Sequence, residues 1–96
     1  MNADSPDRTA VRHNPAASRF EIDTDGHLSV IDYERGDRAI TFTHTFVPPE
    51  LRGRGLAEQL VRAALAHARA EQWRVVPACS YVARFIERHP EYRALV

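Results

Sequence analysis

Apolar and polar residues alternate along three runs in the first half of the chain, at 19–23, 27–34 and 38–47. Turn-forming sequences that contain glycine separate these runs at 23–26 and 35–37. Alternation with a period of two is typical of strands with one buried face. The pattern therefore predicts three consecutive antiparallel strands joined by tight turns.

The third run carries the most β-branched and aromatic residues. In a regular strand its residues divide into one face with Ile40, Phe42, His44 and Phe46 and another with Thr41, Thr43 and Thr45. Pro48 and Pro49 follow, and they end the strand because proline has no N–H to donate to a ladder.

Helical periodicity replaces alternation after these prolines. Apolar residues recur three and four positions apart from Leu56 to Ala68, which predicts a helix from about Gly55 to Glu71. The short apolar run Trp73–Cys79 predicts a further strand, and its Pro77 indicates pairing on one side or a bulge.

The last part of the chain predicts a second helix and a short end piece. Ser80 is a suitable N-cap, and His89-Pro90 ends the helix. We expect Tyr92–Val96 to form a last short strand. The predicted order β-β-β-α-β-α indicates an α+β fold, an antiparallel meander followed by β-α-β-α, with helices on one side of a mixed sheet.

Residues 1–18 are polar, with two prolines and no apolar run, which is unlike a signal peptide or a membrane span. We interpret them as a flexible lead-in to one domain at 19–96. A chain of 96 residues has room for a single small domain.

Composition removes several function classes. The net charge is zero and all 13 basic residues are Arg, so neither nucleic acid nor a membrane is an expected partner. Without Lys, neither Schiff-base chemistry nor a Walker-type phosphate loop is available. The single cysteine cannot form an internal disulfide, which favours the cytoplasm. The histidines show no metal-ligand spacing, so no metal site is predicted.

The segment PPELRGRGLAEQL, Pro48–Leu60, carries the strongest local signal for chemistry. It leads from a strand through two glycines into a helix whose start offers no Ser, Thr, Asp or Asn as a cap. Free N–H groups at a helix N-terminus, with arginines beside them, bind phosphate oxygens. The alternative is an ordinary turn, with glycine for steric relief and arginine for solubility.

These residues also resemble a known family. Arg52-Gly53-Arg54-Gly55-Leu56-Ala57 matches the acyl-CoA pyrophosphate signature of the GNAT superfamily of N-acetyltransferases. Together, HTFVPPELRGRGLA and VVPACSYVARFIERHPEY look like the small, single-domain YjdJ-type GNAT-like proteins.

The resemblance implies that acetyl-CoA or coenzyme A binds this chain. Its pantetheine arm would run between the strands that end at Val47 and Cys79, and Ser80 would lie beside it. The pyrophosphate would meet the loop amides, contributed by Arg52, Gly53, Arg54, Gly55, Leu56 and Ala57. The extra N-terminal helices that shape the acceptor pocket in full-length members are nearly absent, so that pocket would be open, shallow or completed by a partner chain.

Two side chains are candidates for catalysis. Cys79 would lie at a helix N-terminus near the acyl thioester, where a helix dipole favours thiolate, and His44 could act as its base. The alternatives are that Cys79 packs in the core and that His44 is a buried or cleft-lining histidine. Ser80, Tyr81 and Tyr92 are weaker candidates for a proton donor.

Three functions follow from these observations. The first is transfer of an acetyl group from acetyl-CoA to an unidentified amine. The second is a non-catalytic module that binds coenzyme A or acyl-CoA and acts through a partner protein, and the third is a structural domain without a ligand. Either a monomer or a homodimer is compatible with the sequence.

Overall fold

The computed structural model describes residues 10–96, which form a five-stranded sheet and two α-helices. The strands are β1 (Arg12–Asn14), β2 (Arg19–Thr24), β3 (His27–Gly36), β4 (Ala39–Phe46) and β5 (Arg74–Pro77). The helices are α1 (Leu56–Glu71) and α2 (Ser80–Arg88), and short 3-10 segments lie at Pro15–Ala17, Pro49–Leu51 and Pro90–Leu95.

The strands lie in the sheet in chain order, β1-β2-β3-β4-β5. The first four are antiparallel to their neighbours, and β5 runs parallel to β4 because α1 carries the chain back across the sheet. Among the described strands β5 pairs with β4 alone, as Pro77 indicated. The predicted α+β fold with a mixed sheet is confirmed.

One hydrophobic core lies between the sheet and the two helices. In α1 the apolar positions that repeat with helical spacing are the buried ones, and α2 contributes a shorter stripe. Both helices cover the same sheet face, since Arg62 of α1 reaches the His89 ring at the end of α2 and Arg69 reaches the backbone of Glu91. The largest side chains with no exposed surface include Phe42, Ile22, Ile31, Ile40, Leu60 and Leu65. The opposite face of the sheet carries no helix of the described residues.

A β-bulge in β4 changes the predicted faces of that strand. The pairing of β3 with β4 shifts between Asp32, which faces His44, and Tyr33, which faces Phe42, so Thr43 is the extra residue. A bulge inserts one residue and reverses the alternation beyond it. His44 and Phe46 therefore lie on the helix-free face, opposite Asp32 and Val30 of β3, and the expectation that they share a face with Phe42 is wrong. Thr45 takes the position on the helix side.

The structure extends the sheet upstream of the predicted domain start. Residues 12–14 form an edge strand, where a flexible lead-in was expected; residues 1–9 of that lead-in lie outside the described residues. The His13 ring stacks on Phe20 with centroids 4.2 Å apart, and its Nε2 lies 2.6 Å from the hydroxyl of Tyr33. These contacts fix the strand against the sheet.

The end of the chain also differs from expectation. Pro90–Leu95 form a 3-10 helix, where a last strand was predicted. Tyr92 packs in this segment beside Phe85 of α2, with ring centroids 5.7 Å apart. The segment thus continues the helical layer and adds no strand to the sheet.

Candidate functional site

The loop between β4 and α1 depends on two glycines. Gly53 and Gly55 have φ angles of +87° and +80°, in the left-handed region that other residues rarely adopt. Leu51 anchors the loop because its side chain is buried in the core. The Nε of Arg52 donates to the carbonyl of Val47 at 3.0 Å, which holds the loop against the end of β4. Arg54 is exposed.

The start of α1 has no side-chain cap, and the start of α2 has only the sulfur of Cys79 beside its first amides. Gly55 is the N-cap of α1, as the sequence indicated, and Cys79 is the N-cap of α2. Ser80, predicted to be the N-cap, is the first helical residue, so that prediction is wrong by one position. The first N–H groups of a helix have no partner within it, and they carry the positive end of the helix dipole. Leu56 and Tyr81, from the first turns of the two helices, line the same cavity.

The strands β4 and β5 separate beside these helix ends. Their pairing stops at Phe42 and Pro77, although β4 continues to Phe46. The N–H of Cys79 donates to the carbonyl of Phe42 at 2.8 Å, which ties the start of α2 to the point of separation. The remaining residues of β4 therefore leave one edge without a strand partner.

A groove of about 420 Å³ lies along this edge, within the size range of small-molecule sites. Six of the predicted cofactor-binding residues line it: Val47, Arg52, Gly53, Gly55, Leu56 and Ala57. Thr45, Phe46, Leu51, Glu58 and Tyr81 complete the lining. Arg54, Ser80, Cys79 and His44 are not among the lining residues. The structure therefore brings together most of the loop residues that the sequence singled out.

The Cys79 thiol lies just behind the groove wall. Its sulfur is half-buried and 3.5 Å from the hydroxyl of Thr45, which does line the groove. Burial raises the pKa of the Cys79 thiol, but hydrogen bonds from the Thr45 hydroxyl and from the amides of Val82 and Tyr81 outweigh burial. The pKa therefore lies below its ordinary value, which favours the thiolate.

His44 does not accompany Cys79. It is exposed on the helix-free face, opposite Asp32 of β3, because the bulge reverses the strand before this position. The polar side chain next to the thiol is that of Thr45. The structure thus gives no contact for the hypothesis that His44 acts as a base toward Cys79.

Tyr81 is the proton-donor candidate that reaches the groove. Its side chain is 41% exposed, and burial of its hydroxyl raises its pKa, as does the nearby carboxylate of Glu58. Tyr92 instead lies at the outer end of the helices, with its hydroxyl 3.4 Å from Arg62.

Sequence reasoning named Tyr81 as a candidate but did not single out four other lining residues, Thr45, Phe46, Leu51 and Glu58. Thr45 and Phe46 depend on the bulge, and no sequence signal marked it. Leu51 anchors the loop from an apolar position between polar neighbours. Glu58 stands one turn into α1, and counting three residues from the N-cap could have found it.

Comparisons with known proteins agree with the fold. Residues 19–95 match the family described as GCN5-related N-acetyl-transferase. This chain belongs to that family.

Similar proteins are known from animals and bacteria. Protein NATD1 of Bos taurus is 34% identical over 83 residues, which cover 83% of this chain and 74% of that protein. Protein NATD1 of Homo sapiens is 31% identical over 83 residues, with the same coverage. A GCN5-like protein of Staphylococcus aureus, solved by NMR, superposes with a TM-score of 0.73 at 26% identity and covers 92% of this chain and 87% of its own. Among residues 10–96, no helix is long and apolar enough to cross a membrane.

Proposed function

We propose that this protein is an N-acetyltransferase that binds acetyl-CoA in the groove between the β4–α1 loop and the start of α2. The main support for this proposal is that the uncapped N-terminus of α1 and the glycines Gly53 and Gly55 line the groove. Because both residues are glycines, the backbone carries no side chain at this edge, and a Cβ at either position would meet no atom within 4 Å. The space is open for a ligand to approach the amides.

The chemistry of the donor set fits a pyrophosphate. Amide N–H groups at a helix N-terminus bind phosphate oxygens without needing lysine, and this chain has none. The side chain of Arg52 is held by the carbonyl of Val47, so its charge stays beside the loop. The apolar part of the groove, formed by Val47, Leu51 and Phe46, suits the pantetheine arm.

The free edge of β4 supports acyl transfer in the same groove. Backbone N–H and C=O groups beyond Phe42 have no partner strand on this side, so they can bind the amides of pantetheine and donate to a developing oxyanion. Direct transfer joins the acceptor nitrogen to the acetyl carbon, releases the coenzyme A thiolate, and passes one proton from the amine to that thiolate. Tyr81 is a groove residue that can relay this proton: its hydroxyl donates a proton to the thiolate, and the proton released by the amine restores the hydroxyl.

Cys79 offers a second route. Its thiolate would form a bond to the acetyl carbon while the bond from that carbon to the coenzyme A sulfur breaks, and the amine would then displace the cysteine sulfur. The lowered pKa and the hydroxyl of Thr45 favour this route. A Cys79→Ala variant separates the two routes, because direct transfer survives the change and covalent transfer does not.

The test of the function is calorimetric titration of the reduced protein with acetyl-CoA and with coenzyme A, followed by release of coenzyme A in the presence of candidate amines. Saturable binding together with amine-dependent release supports the proposal. Saturable binding without release by any amine would instead support the non-catalytic module. No binding at millimolar ligand would refute both.

A further inference from the structure

A second pocket, of about 110 Å³, continues the groove along the crevice between α1 and α2. Glu58 and Tyr81 line both cavities, so the two are contiguous. Arg84, Phe85, Arg88 and His89 complete the second lining. The combined cavity therefore starts at the glycine loop and extends outward past Tyr81.

The second pocket carries two arginines on one stripe of α2. Tyr81, Arg84 and Arg88 follow at i, i+3 and i+7, a spacing that aligns side chains along one face of a helix. Both arginines are exposed, and neither forms an ion pair or a side-chain hydrogen bond with any residue in 10–96. Their guanidinium groups are available to a ligand.

The one carboxylate in this pocket is already engaged. Glu58 accepts a hydrogen bond from the Nε of Arg62, one turn further along α1, at 2.9 Å. Arg62 also contacts the ring of His89 at 3.3 Å and so fixes the back of the pocket. With Glu58 paired to Arg62, the uncompensated charge that remains is that of Arg84 and Arg88. Two arginines one turn apart suit a phosphate monoester, which accepts bidentate hydrogen bonds.

We propose that Arg84 and Arg88 bind the ribose 3′-phosphate of coenzyme A, and that the protein therefore selects the 3′-phosphorylated cofactor over its dephosphorylated form. The inference rests on the proposed function, since it requires the pyrophosphate to lie at the glycine loop. Coenzyme A carries this phosphate monoester on the adenosine, beyond the pyrophosphate. The adenosine end would therefore leave the loop along the crevice past Tyr81, where the two arginines lie.

The test compares calorimetric titrations with coenzyme A and with 3′-dephospho-coenzyme A. We expect the wild-type protein to bind coenzyme A at least about tenfold more tightly. The double variant Arg84→Gln/Arg88→Gln should bind both ligands with the affinity that the wild type has for the dephospho form. The matched control is Arg38→Gln/Arg74→Gln, which removes the same charge from two exposed residues at the opposite end of the sheet. It should keep the tenfold difference.

The possible outcomes distinguish failure of the subsite from failure of the proposed function. Equal affinity of the wild type for both ligands would overturn the subsite and leave the proposed function intact. A preference that persists in Arg84→Gln/Arg88→Gln, or that is lost in the control as well, would also overturn it, the latter by showing a long-range charge effect. If the wild type binds neither ligand, the proposed function fails together with the subsite. Because all four side chains are exposed, both double variants should fold, and melting curves check this.

Discussion

The hydroxyl of Thr45 lies 3.5 Å from the sulfur of Cys79, across the point where β4 and β5 separate. The bulge at Thr43 makes this contact, because it turns Thr45 toward the helix side of the sheet. The same shift removes His44 to the other face. One extra residue in a strand thus determines which polar side chain accompanies the thiol.

Thr45→Val should raise the pKa of Cys79. The variant keeps the shape of the side chain but removes the hydrogen bond that lowers the pKa, while the burial that raises it remains. The rate of alkylation by iodoacetamide as a function of pH measures this pKa. Because the thiolate reacts, the midpoint of the profile should move to higher pH in the variant. An unchanged midpoint would show that Thr45 does not stabilise the thiolate.

Gly55→Val should weaken acetyl-CoA binding by at least about tenfold, or about 1.4 kcal/mol. Valine disfavours the φ of +80° and adds methyl groups at the edge of the groove where the ligand would approach the amides. Gly26→Val is the matched control, because Gly26 has a φ of +84° and open space around its Cβ in the β2–β3 turn. Calorimetry should show normal affinity for the control. If both variants lost the same affinity for acetyl-CoA, the loss would come from general backbone strain and not from the groove.

Stability should fall in acid through Glu21. Hydrogen bonds from Arg12, Arg19 and Asn14 lower the pKa of this buried carboxyl from 4.5 to about 2. Between pH 4.5 and about 2 the unfolded chain therefore binds more protons than the folded protein. The contribution of Glu21 to the free energy of unfolding is complete above pH 4.5 and is lost as the pH falls toward 2. Because the Arg12 side chain is 71% exposed, solvent screens part of the effect, and we expect about 1 to 2 kcal/mol.

Glu21→Gln tests this prediction in urea unfolding curves recorded between pH 6 and pH 3. The variant should be less stable than the wild type at pH 6, and the difference should shrink toward pH 3. A constant difference over this range would contradict the assignment, because a purely steric effect does not depend on pH.

Strand β1 should become less stable at mildly acidic pH, because it contains His13. Burial lowers its pKa from 6.5, as does the neighbouring His67, so the folded state favours the neutral ring that stacks on Phe20. Because the pKa of His13 is lower in the folded protein than in the unfolded chain, its contribution to the free energy of unfolding is complete above pH 6.5 and falls as the pH drops below that value. Hydrogen exchange of the β1 amides should accelerate between pH 7.5 and 5.5, after correction for the intrinsic rate. His13→Phe should remove this acceleration, and an identical profile in that variant would contradict the role of His13.

The helices and central strands could be predicted from sequence because local periodicity determines them. The position of the loop Arg52–Ala57 could also be predicted, because prolines end the strand before it and helical periodicity begins after it. Strand β1 could not be predicted, because its three residues show no apolar alternation. Its place in the sheet depends on contacts of His13 with residues distant in the sequence. The pocket of Arg84 and Arg88 depends on how α2 packs beside α1, which no local pattern reports.

The central claim is that the amides of the β4–α1 loop hold the pyrophosphate of acetyl-CoA. Its most direct test is a titration of the ¹⁵N-labelled protein with acetyl-CoA, followed by amide chemical shifts. We expect large, saturable shifts for Gly53, Gly55, Leu56 and Ala57, and small ones for the β2–β3 turn at Gly26. Saturable shifts elsewhere with an unperturbed loop, or no shifts at millimolar acetyl-CoA, would contradict it.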